Sequence, residues 1–184
     1  FTDSSLELTS KPMGGMTFNA GVYVDTSGDG DGSDDHSMGA GVKWKSGGIN
    51  AGLQFMSQGK SGNIAGGDLV ADGTAVRVHG GYASGGMSVN LSFEQVDTST
   101  ANSGTFVFLA GKFAVSETMR AALTFGSVAG DDLNDGTAIT AGVFATVAPG
   151  TELFVSTSSA SLDADASGNG SDPSVFSLGA IHKF

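Results

Sequence analysis

The chain has 184 residues and a formal net charge of −11, from 19 acidic residues against 8 Lys and Arg, with 30 Gly, 3 Pro and no Cys. Without Cys it can build no disulfide, zinc–thiolate site or thiol nucleophile. So few cations leave little for the phosphate contacts on which nucleic-acid binding rests. Only 15% of residues are charged, against about a quarter in ordinary soluble domains, yet no apolar run is long enough for a transmembrane helix. A mean hydropathy of +0.07 with regular apolar spacing argues for a folded chain rather than disorder. The polar opening Phe1-Thr2-Asp3-Ser4 reads as the start of a processed or truncated chain.

Period-two alternation, the mark of β-strands, runs from end to end. It predicts eleven strands at about residues 5–11, 16–25, 36–45, 49–58, 74–84, 87–97, 105–115, 119–128, 137–147, 151–161 and 174–184. In the third, Met38, Ala40, Val42 and Trp44 share one face while Lys43 and Lys45 share the other. Leu53 and Phe55 oppose Asn50 and Gln54 in the fourth, and Val76, Val78 and Tyr82 oppose Arg77 and His79 in the fifth. In the sixth, Met87, Leu91 and Phe93 oppose Asn90 and Glu94. Met119, Leu123 and Phe125 oppose Arg120 in the eighth, and Phe176 and Leu178 oppose Ser177 and Gly179 in the last. Many of these runs approach the roughly ten residues that a tilted strand needs to cross a bilayer.

The connections alternate in length. Tight ones fall at Pro12–Gly15, Ser46–Gly48, Gly85-Gly86, Glu117-Thr118 and Pro149-Gly150, and long ones at 26–35, 59–73, 98–104, 129–136 and 162–173. Short turns on one side and long loops on the other describe an antiparallel up-and-down transmembrane β-barrel, and a soluble sandwich has no reason to keep that parity. Two aromatic belts are expected on the outward face. Trp44, Tyr82, Phe113 and Phe184 would lie toward the tight turns, and Phe55, Phe93 and Phe125 toward the long loops.

Most acids are Asp in or beside the long loops, whereas most cations stand inside strands on the polar face. A charge facing lipid at mid-depth costs about 2–4 kcal/mol, so the polar face must meet water. Lys43, Lys45, Arg77, Lys112, Arg120, Glu7 and Glu94 are therefore the expected lining of an aqueous lumen. The loop segment 25–35 also admits weak Ca²⁺ binding through Asp29, Asp31, Asp34 and Asp35, although the spacing does not complete an EF-hand. Solvated acids facing lipopolysaccharide are the blander reading. No other cofactor is expected. His36, His79 and His182 fall on different strands, and no spacing assembles a catalytic group, so the chain is not expected to be an enzyme.

The closing stretch from Gly170 to Phe184, with Val175-Phe176-Ser177-Leu178-Gly179-Ala180-Ile181-His182-Lys183-Phe184 at its core, resembles the C-terminal strand of the Gram-negative general porins. The segment Asp3 to Pro12 with Met16-Thr17-Phe18 resembles that family's strand after its constriction loop. The resemblance implies a bacterial outer-membrane trimer of 16-stranded barrels that passes small hydrophilic solutes and ions by passive diffusion. It also makes Phe184 the signal read by the barrel-assembly machinery. Eleven strands is an odd number, and single-chain bacterial barrels have even ones. Residues 1–184 are thus expected to be one transmembrane barrel domain, either the C-terminal part of a larger barrel lacking N-terminal strands and the constriction loop or a smaller even barrel with one strand more than the pattern resolves. A barrel with a structural or adhesive role through its acidic loops is the first alternative, and an outer-membrane enzyme the second.

Overall fold

The computed structural model describes residues 4–24, 36–58, 73–98, 103–130, 135–163 and 170–183. They form eleven strands: β1 (Ser4–Thr9), β2 (Met16–Val24), β3 (Ser37–Ser46), β4 (Ile49–Gln58), β5 (Gly73–Ser84), β6 (Met87–Thr98), β7 (Gly104–Ala114), β8 (Met119–Gly130), β9 (Gly136–Ala148), β10 (Thr151–Leu162) and β11 (Ser174–His182). They lie in one sheet in the order β1 to β11, each strand beside its neighbours in sequence. All eleven expected strands are present, with ends within about two residues of the sequence reading. β6, β8 and β9 run further than expected, to Thr98, Gly130 and Ala148, because backbone pairing continues past the point where apolar alternation fades. The long connections lie largely outside the described residues.

Glycine sets four of the five tight turns, and at Glu117-Thr118 the Ser116 hydroxyl accepts from the Thr118 and Met119 N–H groups instead. Gly14 and Gly15 have φ of 59° and 83°, and Gly85 and Gly86 have 54° and 87°. Positive φ at both central residues is the type I′ geometry whose twist matches the flanking strands. The first hairpin is longer than a bare turn. Its register moves by one residue between the Thr9–Asn19 pair and the isolated Met13–Met16 bridge. Pro12 lies in that irregular stretch, where its missing N–H removes no ladder bond.

Chain contacts group the strands into two compact units. The first comprises Phe1–Gly80, Phe93–Thr105 and Gly130–Asp132, and the second Gly81–Ser92, Phe106–Ala129 and Leu133–Phe184. In the first unit, residues paired across strands share a face. Met16, Trp44 and Ala51 form one apolar row, and Phe18, Val42 and Leu53 form the next. The opposite face carries Thr17, Lys43 and Gly52 in one row and Asn19, Gly41 and Gln54 in another. In the second unit, Ala121, Val143, Val155 and Leu178 form an apolar row, while Arg120, Phe144, Phe154 and Gly179 lie on the other face.

Neither unit has a core. Among the described residues no hydrophobic side chain is buried, and large ones stand in the open, Leu6 at 65%, Phe176 at 72% and Leu178 at 79% exposure. A single sheet layer with one apolar face cannot rest in water. It is stable only where an apolar medium covers that face.

The turns give a direct test. At Gly47 (φ 56°) an added Cβ meets nothing within 4 Å, whereas at Gly150 (φ 74°) it would lie 2.8 Å from the Lys183 carbonyl oxygen. Gly47→Ala is expected to cost about 1–2 kcal/mol from backbone strain alone. Gly150→Ala should cost clearly more, since the β11 end must also shift. Urea unfolding of the complete protein in detergent, followed by heat-modifiable gel mobility, compares the two.

Candidate functional site

Within the described strands, most charged side chains stand on the polar face. In the first unit, Lys43 and Lys45 alternate with Val42 and Trp44 on β3 and pair with Gly52 and Asn50 of β4. Glu7 of β1 stands opposite Gly21, which itself pairs with Gly39, so it shares the Lys43 face. Arg77 on β5 forms an ion pair with Glu94 on β6. The His79 ring lies over Gly52, where an added Cβ would sit 2.3 Å from the imidazole. The register thus puts Glu7, Lys43 and Lys45 on one face, and the ion pair joins Arg77 to Glu94.

In the second unit, Arg120 on β8 reaches Glu152 on β10 with Nη2–Oε2 2.9 Å and Nε–Oε1 3.3 Å. Its guanidinium carbon also stands 3.9 Å from the centre of the Phe144 ring, inside the range of a cation–π contact. Phe144 stacks on Phe154 at 5.8 Å between centres and 30° between planes. Lys112, Arg120 and Glu152 line one hollow of about 230 Å³ beside the tight turns. An Arg held at once by a carboxylate and an aromatic face is fixed in direction. It presents its charge at one place along the wall rather than sweeping through solvent.

Strand parity places the expected girdle aromatics. Trp44, Tyr82, Phe113, Phe55, Phe93 and Phe125 all stand on the side of their strand opposite the charged groups, and Phe184 lies outside the described residues. Phe93 and Phe125 are each the seventh residue of a twelve-residue strand. Sequence reasoning missed aromatics on the polar face. Phe144 and Phe154 are two, and Phe108 is a third, with its ring 4.0 Å from where a Cβ on Gly126 would lie. The signal was present in the parity, because Phe154 alternates with Val155 and shares its register with Glu152 and Ser156. Asp29, Asp31, Asp34 and Asp35 lie outside the described residues.

These inward rings do not stand upright. An added Cβ at Gly179 would lie 2.6 Å from the Phe154 ring, so the ring occupies the space left by the missing side chain and lies against the sheet. Gly179→Ala should lift Phe154 off the wall and lower single-channel conductance of the complete barrel, if that face lines a pore. The double variant Gly179→Ala/Phe154→Ala should restore it, and planar-bilayer recording reads both.

The sequence matches the family model described as Gram-negative porin over residues 2–184. No curated protein matches it. Among solved structures it is similar to an anion-selective porin from Comamonas acidovorans, with a TM-score of 0.78 at 16% identity over 98% of this chain and 59% of that one. It is also similar to the outer membrane channel DcaP of Acinetobacter baumannii, with 0.74 at 14% identity over 98% and 62%. A loop-deletion mutant of OmpT from Vibrio cholerae gives 0.66 at 18% over 98% and 63%. The chain thus spans about 60% of the length of the solved structures it matches. With eleven two-faced strands in sequence order and a match along nearly its whole length, the chain belongs to the Gram-negative porin family of the outer membrane.

Proposed function

We propose that this chain forms the C-terminal eleven strands of a larger barrel, of 16 strands in all, that serves as a water-filled channel for passive diffusion of small hydrophilic solutes and ions. The observation that carries this reading is the polar face, where Lys43, Arg77, Lys112, Arg120, Glu94 and Glu152 stand along strands whose other face is apolar. Charges there require water. The solved porin and channel of similar fold support the same reading.

The lining residues on this reading are Glu7, Lys43, Lys45, Arg77, Glu94, Lys112 and Arg120, and they set the field across the lumen. The apolar face, with Trp44, Tyr82 and Phe113 toward the tight turns, faces outer-membrane lipid. A homotrimer, delivery by the barrel-assembly machinery through Phe184, contact of the loops with lipopolysaccharide, and weak Ca²⁺ at Asp29, Asp31, Asp34 and Asp35 complete the proposal. Catalysis has no part in it.

Reconstitution of the complete barrel in a planar bilayer tests this reading. Ohmic conductance is expected, and its absence would favour a structural or adhesive role. Arg77→Gln/Arg120→Gln removes roughly one elementary charge at each site and leaves Glu94 and Glu152 without their cations. The reversal potential in a salt gradient should shift toward cation preference. An unchanged potential would remove both arginines from the conducting path.

A further inference from the structure

We infer that the polar face of the first unit holds a recess fitted to small zwitterions of the α-amino acid type, a deepening that rests on the channel reading. The recess has a volume of about 270 Å³ and is lined by Asn19, Gly39, Gln54, Met56, Arg77 and Glu94. Its shape follows from cross-strand register. Asn19, Gly41 and Gln54 stand in one row, and Gly21, Gly39 and Met56 in the next. Both amide side chains fold over Gly41, where a Cβ would lie 2.9 Å from Asn19 Oδ1 and 3.3 Å from Gln54 Cγ. In that next row Gly21 and Gly39 carry no side chain between Glu7 and Met56, and Gly39 forms the floor of the hollow. The Arg77–Glu94 ion pair also lines the hollow.

The lining selects by charge pattern. Arg77 is about half exposed and Glu94 about a quarter (50% and 23%), so both ions remain open to a solute. A solute with one charge is attracted by one partner and repelled by the other, and the two effects nearly cancel beyond a few ångströms. A zwitterion laid antiparallel places its carboxylate on the Arg77 guanidinium and its ammonium on Glu94, so that both contacts are charge-assisted. Asn19 and Gln54 each offer one donor group and one acceptor, and neither amide bonds to another described side chain. They suit the uncharged remainder of such a molecule. Stacking on a sugar ring has no support here, because the one aromatic neighbour, Phe55, belongs to the apolar face. An open, water-filled recess binds weakly, as a permeation site must if it is to release what it holds.

The test uses L-glutamine and D-glucose as probes of ion current through the complete barrel in a planar bilayer. L-Glutamine should reduce current saturably at about a tenfold lower concentration than D-glucose, the weight of one charge-assisted hydrogen bond. Arg77→Gln/Glu94→Gln keeps the net charge of the wall and should abolish that difference. Gly39→Val fills the floor from a backbone position that β-branched residues accept and should do the same. Heat-modifiable gel mobility confirms that each variant folds. Equal block by both probes, or a glutamine block that survives either variant, overturns the recess while leaving the channel intact. A barrel that conducts nothing overturns the channel reading and the recess together.

Discussion

The two faces of the described strands must be covered from outside, because no hydrophobic side chain among the described residues is buried. A sheet with no second layer gives a side chain only two places to go, into whatever bathes one face or whatever bathes the other. In the first unit Leu6 stands exposed on the face opposite the Arg77–Glu94 pair, and in the second Phe176 and Leu178 stand exposed on the face opposite the Arg120–Glu152 pair, so in each unit the two media must differ in polarity. The backbone has no such choice. Its N–H and C=O groups lie in the plane of the sheet and are satisfied there by neighbouring strands. Stability is thus divided between ladder bonds within the sheet and hydrocarbon contact supplied from outside the protein.

That division explains the glycines on the polar face. On a sheet face that carries charged and aromatic groups, a glycine gives a neighbouring larger side chain room to lie down. Phe154 over Gly179, His79 over Gly52 and Asn19 with Gln54 over Gly41 repeat one arrangement, in which a larger group lies down on a neighbour that has no side chain. The ring or amide shields an otherwise bare stretch of backbone, and the glycine lets it lie flat. Smoothness and chemical variety are obtained together, and the distribution of glycine determines where the wall is hollow.

Most of the fold was legible because strand parity needs only local sequence. Trp44 beside Lys43 and Lys45, or Leu91 and Phe93 around Ser92, fix which face is which without any knowledge of neighbours. Pairings across strands were not legible. Arg77 meets Glu94 across a two-residue turn, but Arg120 meets Glu152 across a whole intervening strand. That contact depends on register in β8, β9 and β10 together, including the irregularity between Thr151 and Glu152. The far end of β8 was hidden for a related reason. Ala129 and Gly130 read as the start of a long loop, yet they belong to β8. Side-chain pattern reports where a face ends, and hydrogen bonding continues beyond it.

The neighbour-only order of the strands has a consequence for history as well as for form. Since each strand is held by the strands just before and after it in sequence, a hairpin is a removable stave. Gaining or losing one alters the width of the sheet while leaving the register of every other pair as it was. Architectures with crossovers have no such freedom, because an inserted strand there displaces partners far away in the chain. A wall built in this way can be widened or narrowed by duplication of two strands at a time, and each step keeps lipid on one side and water on the other.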